Sequence, residues 1–519
     1  MLAFFIKWLS AGKQQFQILQ GNYKLQTEDS KNLLLYVLLS SLFVLPIINA
    51  NIYHQDDLYR IYNSIFWENL GRPLATETTR LISGSANRIL DSAPFTQILS
   101  ALLLGYSAFI LAKFLNTKFY FSGRLVYILP FLSPLFLHNL SYRYDSFGMS
   151  LGILFATLAF CQNTKNIFGI CFAILLMACG LSLYQVDLNI YIALVALEVV
   201  LAVTIYSYRQ LLLLLAQRCI VFIAGYALYY SGYALYYFMV TFNSSGSVKR
   251  SSIIPFNENF FTILYDNIFS FIALFLSFFS YPQSKYLILI LCLVPFVIHT
   301  INLFKPKISP LKIILFFPIA IVVFIVSLMG PMAILENTLA TYRTMPSFYV
   351  FSCLLVLMSS VLYKRLDYLA IFPIFFALSF SFQYGNAYKN QRDYEKGIIQ
   401  QVTYDVEHFV KSDKTIYTFG GIGMAPQARL IMESNPIIRN MIRPASKWVL
   451  EGLMIRQGLI KTKFLWDSAR HKKEILMITD LCGDGLLKTS TTKYELFESP
   501  ENIYVLFNKS FDSICSNSI

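Results

Sequence analysis

The chain has 519 residues, of which 56% are hydrophobic and only 14% are charged, and its formal net charge is +13. A soluble globular protein carries about 25% charged residues, so this composition excludes a soluble globular protein and indicates a polytopic membrane protein. The basic excess does not indicate nucleic-acid binding, because many of the lysines and arginines lie in short loops between apolar runs, where positive charge sets membrane topology.

The first element is a polar N-terminal tail, residues 1–31, which carries Lys7, Lys13, Lys24 and Lys31 and precedes a full-length apolar run. A basic tail before a run of this length is typical of a signal anchor, whereas a cleaved secretory signal has a shorter apolar core. We therefore expect residues 1–31 to be cytoplasmic.

Apolar runs that could span the bilayer follow one another as far as residue 386, since about 20 apolar residues cross the hydrocarbon core. They are 32–50, 95–115, 124–140, 147–162, 167–185, 188–206, 219–242, 260–282, 286–304, 313–335, 346–363 and 367–386. Basic loops lie on the cytoplasmic side of membrane proteins. Lys113, Lys118 and Arg124 therefore place the loop after the second run inside and the segment 51–92 outside.

The run 260–282 decides how many crossings are expected. If every run crosses, the lysines of the segment 305–312 lie outside; if 260–282 is re-entrant or interfacial, those lysines lie inside and the C-terminus lies outside. The positive-inside rule favours the second arrangement, and the polar Asp266 and Asn267 near the start of the run suit it. We therefore predict a transmembrane domain over 32–386 with about eleven membrane-spanning helices.

The composition changes at about residue 387, after which no run is long enough to span a membrane. Strands are predicted at 415–421, 474–479 and 503–507, and a helix is predicted over 443–458. A segment of about 130 residues is long enough to bury its own core. We therefore predict a small extracytoplasmic α/β domain over 387–519.

The eight cysteines fall into two classes. Six lie in or beside apolar runs, where a thiol behaves as a small hydrophobe. Cys482 and Cys515 lie in the polar C-terminal segment, and a disulfide between them is plausible if that segment faces an oxidising compartment.

The segment 51–92 concentrates ionisable residues in an otherwise apolar sequence. It begins directly after the first apolar run and contains Asp56 and Asp57, then Arg60, then Arg72 in a Gly-Arg-Pro turn. A carboxylate at the membrane face can take a proton from an attacking hydroxyl; of two adjacent acids, we expect one to be the base and the other to orient it or to pair with an arginine. The alternative is a solvated loop in which an acid pairs with Arg60 one turn away. We interpret 51–92 as the first external, catalytic loop.

Further arginines and polar aromatic residues lie in other predicted outer loops. A guanidinium group suits phosphate because it donates bidentately and stays charged, although arginines also anchor helix ends near lipid head groups. Tyr and Gln at a helix end could bind sugar hydroxyls or act as interface anchors. On the preferred topology, one face gathers the candidate catalytic and substrate-binding residues Asp56, Asp57, Arg60, Arg72, Tyr142, Arg143, Asp145, Tyr184, Gln185 and Arg343.

No cofactor is expected from the sequence. It contains neither a phosphate-cradling Gly-Lys-Ser/Thr loop nor a nucleophile elbow, so nucleotide-driven chemistry is not expected. The five histidines are scattered and a divalent metal is not indicated. At most, His54 and His138 near the outer face could form a weak site with Asp56 or Asp57.

Five short motifs occur in a fixed order along the chain: Asp56-Asp57-x-x-Arg60, Gly71-Arg72-Pro73-Leu74, Tyr142-Arg143-Tyr144-Asp145-Ser146, Ser182-Leu183-Tyr184-Gln185 and Tyr342-Arg343-Thr344. This ordered set resembles the serotype-converting glucosyltransferases of the Gtr type, an integral-membrane family that adds glucosyl branches to the O-antigen of lipopolysaccharide. The resemblance covers most of the chain, from about residue 30 to the C-terminal segment.

The resemblance implies a GT-C-like fold with the active site in outward-facing loops. It implies a glucosyl phosphoryl-undecaprenol donor and a lipid-linked O-antigen acceptor on the periplasmic face of the bacterial inner membrane. It also implies that Asp56 or Asp57 is the base. The arginines that would bind the donor phosphate or hold the acids are Arg60, Arg72, Arg143 and Arg343.

We therefore expect a hexosyltransferase that uses a polyprenyl-phosphate-linked sugar and modifies O-antigen or a related surface polysaccharide. An O-antigen polymerase or ligase is an alternative, because such enzymes also have arginine-rich external loops; acids placed directly after the first helix favour the transferase. A flippase or transporter would need ionisable groups at the membrane midplane and internal repeats, and no repeat is evident. A non-enzymatic scaffold is the remaining alternative.

Overall fold

The computed structural model describes residues 27–64, 66–119, 123–203, 205–240, 253–279, 310–360, 364–410, 414–463, 470–508 and 511–515. The chain divides into two compact units. Unit 1 comprises Met1–Ile48, Phe66–Leu140 and Tyr144–Ser381, and unit 2 comprises Asn49–Ile65, Ser141–Arg143 and Phe382–Ile519.

Helices dominate the chain as far as residue 405. They are α1 (Thr27–Ala50), α2 (Asp57–Arg60), α3 (Pro73–Ser83), α4 (Phe95–Phe119), α5 (Leu137–Leu140), α6 (Ser146–Cys161), α7 (Ile167–Leu183), α8 (Leu188–Val203), α9 (Tyr208–Val240), α10 (Phe260–Phe279), α11 (Pro310–Met329), α12 (Val350–Ser360) and α13 (Ile371–Asp405). Most of the predicted apolar runs correspond to one of these helices.

Seven helical segments in the described part of the chain are long and apolar enough to cross a membrane. They are Glu28–Ala50, Phe95–Phe119, Gln185–Val203, Tyr208–Tyr236, Phe260–Phe278, Ile314–Ile334 and Arg365–Val410. Shorter apolar helices cover Val126–Leu140, Ser146–Cys161, Ile167–Leu183 and Pro346–Ser360. The chain is therefore a multi-pass membrane protein.

The number of crossings, about eleven, stays a prediction. The predicted run 286–304 and the tail residues 1–26 lie outside the described residues. The run 260–282 contains α10, which is long and apolar enough to span; whether it crosses also stays a prediction.

Helix α8 forms the centre of unit 1. Each of its residues is buried, and it packs against α6, α11 and α12. A helix that is hydrophobic on all sides is typical of such a central position. The short turn that precedes α8, Gln185–Asp187, is thereby held on a fully surrounded helix.

One acid interrupts the apolar sequence of α8. The Glu198 carboxylate is fully buried and accepts hydrogen bonds from Arg218, at 2.8 Å from Nε and 3.0 Å from Nη2. Lys118 also donates to this carboxylate. A buried charge among apolar helices is costly unless it is paired, so the cations on α4 and α9 offset this cost.

The run predicted at 124–140 is not one continuous helix. It consists of two 3₁₀ segments, Val126–Phe131 and Pro134–Phe136, followed by α5. Pro130 lacks an N–H and disfavours a regular α-helix here. The start of the run is fixed by Asp367, whose Oδ2 accepts hydrogen bonds from the backbone N–H groups of Arg124 (2.9 Å) and Leu125 (3.0 Å).

Unit 2 contains a five-stranded sheet in the order β2-β1-β5-β4-β3. The strands are β1 (Thr415–Gly420), β2 (Thr462–Lys463), β3 (Leu486–Ser490), β4 (Tyr494–Glu498) and β5 (Asn502–Phe507). β1 pairs in parallel with β2 and β5, whereas β4 is antiparallel to both β3 and β5.

Helices cover both faces of this sheet. The helices of unit 2 that follow α13 are α14 (Pro426–Ser434), α15 (Pro436–Met441), α16 (Trp448–Arg456), α17 (Arg470–Asp484) and α18 (Phe511–Cys515). One apolar core joins the sheet to α16 and to the C-terminal part of α13, and a second core joins it to α17 and α18.

The strands predicted at 415–421 and 503–507 are present as β1 and β5, but the strand predicted at 474–479 is wrong. That segment belongs to α17, and a short apolar run does not by itself distinguish strand from helix. The helix predicted over 443–458 is shorter, since α16 begins only at Trp448.

The sequence alone does not decide whether the C-terminal segment contains a disulfide, and the structure shows that it does. Cys482 and Cys515 are joined, with their Cα atoms 5.8 Å apart. The bond connects α17 to α18 on one face of the sheet.

The grouping into units differs from the expected division at residue 387. Unit 2 begins at Phe382 in the C-terminal region and also includes Asn49–Ile65. The physical reason is burial: Leu58 is fully buried in the core that joins the sheet to α13 and α16. The predicted loop 51–92 is therefore divided between the two units.

Candidate active site

The two adjacent acids occupy different environments in unit 2. Asp56 lies directly before α2 and is exposed, whereas Asp57 is the first residue of α2 and is fully buried. Gln55 has a positive φ of 42°, a left-handed conformation that turns the chain sharply before the helix. The backbone oxygen of Asp56 accepts hydrogen bonds from the N–H groups of Tyr59 and Arg60, which fixes the start of α2.

The Asp57 carboxylate connects two segments of unit 2. Its Oδ2 accepts hydrogen bonds from the backbone N–H of His54 at 3.1 Å and from the backbone N–H of Arg143 at 2.9 Å. Pairing a buried backbone N–H avoids the cost of an unsatisfied donor. Asp57 therefore holds the segment 49–65 against 141–143.

The side chains of 141–143 continue this connection. Arg143 is 8% exposed; its Nη1 donates to Asn51 Oδ1 at 2.5 Å, and its guanidinium carbon lies 4.4 Å from the centre of the Tyr53 ring. The Tyr142 hydroxyl donates to Gln55 Oε1 at 3.0 Å. The structure thus places Tyr142 and Arg143 against the segment that carries Asp57.

His54 contacts groups that the sequence did not single out. Its Nδ1 is hydrogen-bonded to the Tyr388 hydroxyl, and its ring stands edge-on to Tyr142, with 4.6 Å between ring centres. The Arg392 guanidinium lies 5.1 Å from the centre of the Tyr388 ring and pairs with Glu395. Tyr388 and Arg392 lie in the long helix α13, where no motif marks them.

Helix α16 packs directly on α2. A Cβ on Gly452 would lie 2.7 Å from the Leu58 Cβ, so only glycine permits this approach. The Tyr59 hydroxyl donates to Glu451 Oε2 at 2.6 Å. The C-terminal region therefore supports the acid-bearing segment within unit 2.

A second group of predicted residues lies in unit 1 around Arg72. Gly71 has a positive φ of 74°, and a Cβ there would lie 2.5 Å from the Tyr229 hydroxyl; both observations require glycine. Arg72 Nε donates to Gln185 Oε1 at 2.7 Å, and its guanidinium carbon lies 4.5 Å from the centre of the Tyr184 ring. Gln185 and Tyr184 therefore fix the position of the Arg72 side chain.

A small cavity in unit 1 adjoins this arginine. Residues that line it include Trp67, Arg72, Asp145, Met149, Leu183 and Tyr184. The charges of Arg343 and Arg72 both act on the Tyr184 hydroxyl, which places Arg343 in the same neighbourhood.

Asp187 is a buried acid that sequence reasoning did not place among the site residues. Its side chain is 1% exposed, and within the described part of the chain neither carboxylate oxygen has a hydrogen-bond partner. A Cβ on Gly152 would lie 2.1 Å from its Oδ2. Its charge interacts with that of Arg72, and its position just after Tyr184-Gln185 is the signal that could have identified it.

The ten predicted residues thus form two groups, each described within its own unit. Unit 2 holds Asp56, Asp57, Arg60, Tyr142 and Arg143, and unit 1 holds Arg72, Asp145, Tyr184, Gln185 and Arg343. Arg60 is 5% exposed in the last turn of α2. Among the residues that the structure describes, no group of three or more His, Cys, Asp or Glu could hold a metal ion. The roles of the ten residues stay predictions.

Comparison with known proteins identifies the family. The model of the GtrII glucosyl transferase family matches residues 45–360, a range that contains all ten predicted site residues. A relative from Salmonella phage P22, described as an uncharacterized 55.3 kDa protein in the gtrB 5′ region, is 23% identical over 499 residues, which are 93% of this chain and all of the relative. No solved structure matches the chain. Because the family model covers more than half of the sequence, the chain belongs to the GtrII glucosyl transferase family and is a membrane glycosyltransferase.

Proposed function

We propose that this enzyme moves a glucosyl group, or a related hexosyl group, from a polyprenyl-phosphate-linked donor to a sugar of O-antigen or a related surface polysaccharide. The family supports glucosyl transfer. The ordered motifs and the arginines among them support a donor with a lipid-linked phosphate. The acceptor would be carried on a lipid as well.

The proposed reaction is a single displacement. An acceptor hydroxyl attacks the anomeric carbon of the donor sugar, a new C–O bond forms, and the C–O bond to the phosphate breaks. The leaving group is the polyprenyl phosphate anion, and the hydroxyl proton passes to a carboxylate. This step inverts the anomeric centre, and it needs a base near the acceptor and cations near the phosphate.

The different placement of Asp56 and Asp57 carries the assignment of the base. The Asp56 carboxylate is exposed and, among the residues that the structure describes, makes no hydrogen bond or ion pair. Asp57 is buried, and its Oδ2 accepts two backbone N–H groups. We therefore assign proton abstraction to Asp56 and a positioning role to Asp57.

Arg72 is suited to bind the donor phosphate. Its Nε donates to Gln185, whereas its two Nη groups have no hydrogen-bond partner in the described part of the chain. A guanidinium group held at Nε can present both Nη atoms to phosphate oxygens. Tyr184 beneath the guanidinium restricts its orientation, which lowers the entropy cost of binding.

We further propose a GT-C-like architecture of about eleven crossings in the bacterial inner membrane, with the catalytic loops and the C-terminal α/β domain in the periplasm. The distribution of basic loops supports this orientation. The Cys482–Cys515 disulfide also supports it, because disulfides persist in oxidising compartments.

A transfer assay with purified protein and polyprenyl-phosphate glucose tests the proposal. We expect Asp56→Asn to lower kcat by about 10²- to 10⁴-fold, with donor binding and thermal stability unchanged. Asp57→Asn should retain more activity and lose stability. Wild-type kcat in Asp56→Asn would reject the assigned base and direct the search to Asp145. Absence of transfer by the wild type across a panel of lipid-linked acceptors would contradict the proposed reaction.

A further inference from the structure

Two arginines of unit 2 lie over one tyrosine ring. The Arg456 guanidinium carbon lies 4.2 Å from the centre of the Tyr53 ring, and that of Arg143 lies 4.4 Å from the same centre. The two cationic groups are therefore within about 9 Å of each other, the sum of the two distances. Both arginines adjoin the segment that carries Asp56.

Arg456 differs from two other arginines that lie over aromatic rings. Arg218 and Arg392 each pair with a buried glutamate. Arg456 is exposed, and within the described part of the chain its guanidinium has no hydrogen bond and no ion pair. Its donors are therefore available to an anion from solution or from the membrane surface.

The position of Arg456 is fixed by the helix that carries it. Arg456 is the last residue of α16, and the same helix contacts α2 through Gly452 and Glu451, as described above. Gly452 and Arg456 are four residues apart, about one helical turn, so they lie on the same face of α16, which meets the acid-bearing segment. Stacking on Tyr53 then orients the guanidinium plane without using any of its N–H donors.

An anion bound to Arg456 at this ring would also meet the positive charge of Arg143. Arg143 is 8% exposed, so its attraction for an anion acts in a partly water-excluded place, where charge interactions are stronger. Guanidinium groups bind phosphate through paired N–H donors. The phosphate of a polyprenyl-linked sugar is an anion of this class at the membrane surface.

We propose that Arg456, together with Arg143, binds a phosphate group of a polyprenyl-linked substrate, so that the C-terminal region contributes directly to substrate binding. The proposal rests on the proposed function, because the ligand is a substrate of that reaction. It deepens that function by giving α16 a binding role. The donor monophosphate and an acceptor diphosphate share the chemistry that Arg456 would recognise.

The test compares Arg456→Ala and Arg456→Lys in the full-length enzyme, with Arg429→Ala as the matched control. Arg429 is an exposed arginine on α14, 3.9 Å from Glu433, and the structure gives it no part in the site. We expect Arg456→Ala to raise the KM for one lipid-linked substrate by about 10- to 100-fold with kcat and thermal stability nearly unchanged. Arg456→Lys should raise the KM less than Arg456→Ala does, since lysine keeps the positive charge but lacks the planar guanidinium group.

Measuring the KM separately for the donor and for the acceptor distinguishes the two sources of phosphate. A rise in KM for the donor identifies the donor phosphate, and a rise in KM for the acceptor identifies the acceptor diphosphate. Unchanged KM for both substrates, or an equal effect of Arg429→Ala, would overturn the inference.

Direct binding of polyprenyl phosphate without sugar, measured by native mass spectrometry, separates this inference from the proposed function. If the wild type binds this lipid, Arg456→Ala should weaken its binding even where no acceptor supports transfer. Equal binding by wild type and variant, in an enzyme that does transfer sugar, would refute the role of Arg456 in the donor site alone.

Discussion

The role assigned to Asp57 gives a prediction that can be worked out from the structure. Asp57→Ala removes the carboxylate that accepts the backbone N–H groups of His54 and Arg143. Because Asp57 is fully buried, water does not replace this acceptor without opening the segment. The two amides lose their partner together, and the connection between 49–65 and 141–143 is weakened but not broken, because the contacts of Tyr142 and of the Arg143 side chain remain.

The expected cost is large relative to the stability of a domain. A buried donor left without an acceptor costs about 1–3 kcal/mol, so the loss of two acceptor contacts costs about 2–6 kcal/mol. Asp57→Asn keeps an oxygen that can accept both hydrogen bonds and loses only the charge. Its cost should be smaller, about 1–2 kcal/mol.

Amide hydrogen exchange in the purified protein measures this effect at the affected positions. A local opening that becomes easier by about 2 kcal/mol speeds exchange by about 30-fold. We expect peptides containing His54 and Arg143 to exchange at least that much faster in Asp57→Ala, with a smaller change in Asp57→Asn. Asp56→Ala serves as the control, since it removes an exposed carboxylate one residue away.

Two results would refute the reasoning. Unchanged exchange at His54 and Arg143 in Asp57→Ala would show that the carboxylate does not hold the two segments together. Equal acceleration by Asp56→Ala would show that the acids are not divided into a positioning residue and an exposed base.

Two further predictions concern local conformation and pH. Gly71→Ala should lower the stability of the protein by about 1–3 kcal/mol, because the new Cβ combines a positive φ of 74° with an approach of 2.5 Å to a tyrosine hydroxyl; thermal unfolding in detergent measures this loss. Hydrogen bonds from Lys414 and Lys488 hold the pKa of Glu498 below its usual 4.5. Its stabilising contribution is therefore complete above that value and is lost as pH falls through the lower folded-state pKa. The difference in Tm between wild type and Glu498→Gln should disappear on acidification from about pH 5 to about pH 3.

Each of these predictions has its own control. Gly84 also has a positive φ, of 62°, but a Cβ there would meet no atom within 4 Å. Gly84→Ala should therefore show the backbone strain alone, and an effect equal to that of Gly71→Ala would contradict the predicted clash. For Glu498→Gln, a Tm difference that persists at low pH would show that the effect is not electrostatic.

The sequence predicts the apolar helices well, because their length and hydropathy are local properties. From the positive-inside rule it also predicts that Tyr142 and Arg143 share one membrane face with the acids, and this stays a prediction. It does not distinguish Asp56 from Asp57, because their difference in burial arises from α2 and from the backbone amides of a segment more than 80 residues away.

The buried acids of unit 1 and the contact between Arg456 and Tyr53 were also not predictable, because they depend on residues that are distant in the sequence. Glu198 lies within a long apolar run and Asp187 lies beside one, and the surroundings of both depend on which helices come together. Arg456 has no motif and lies outside the residues that match the family. Its proximity to Tyr53 follows from the packing of α16 on α2, which no local pattern records. The strand predicted at 474–479 was wrong because a short apolar run suggests a strand from local sequence alone. This segment is instead part of helix α17.

The fully enclosed helix α8 has a consequence for how the protein is made. A helix that is surrounded by protein in the final state has no lipid-facing side to guide it, and Glu198 disfavours its release into hydrocarbon on its own. Lys118 is synthesised before this helix, but Arg218 emerges from the ribosome after it, on α9. Full pairing of the Glu198 carboxylate therefore has to wait for a later segment. During synthesis this helix depends on the translocation machinery or on its neighbours to shield its charge, so the order of helix arrival is itself a constraint on this sequence.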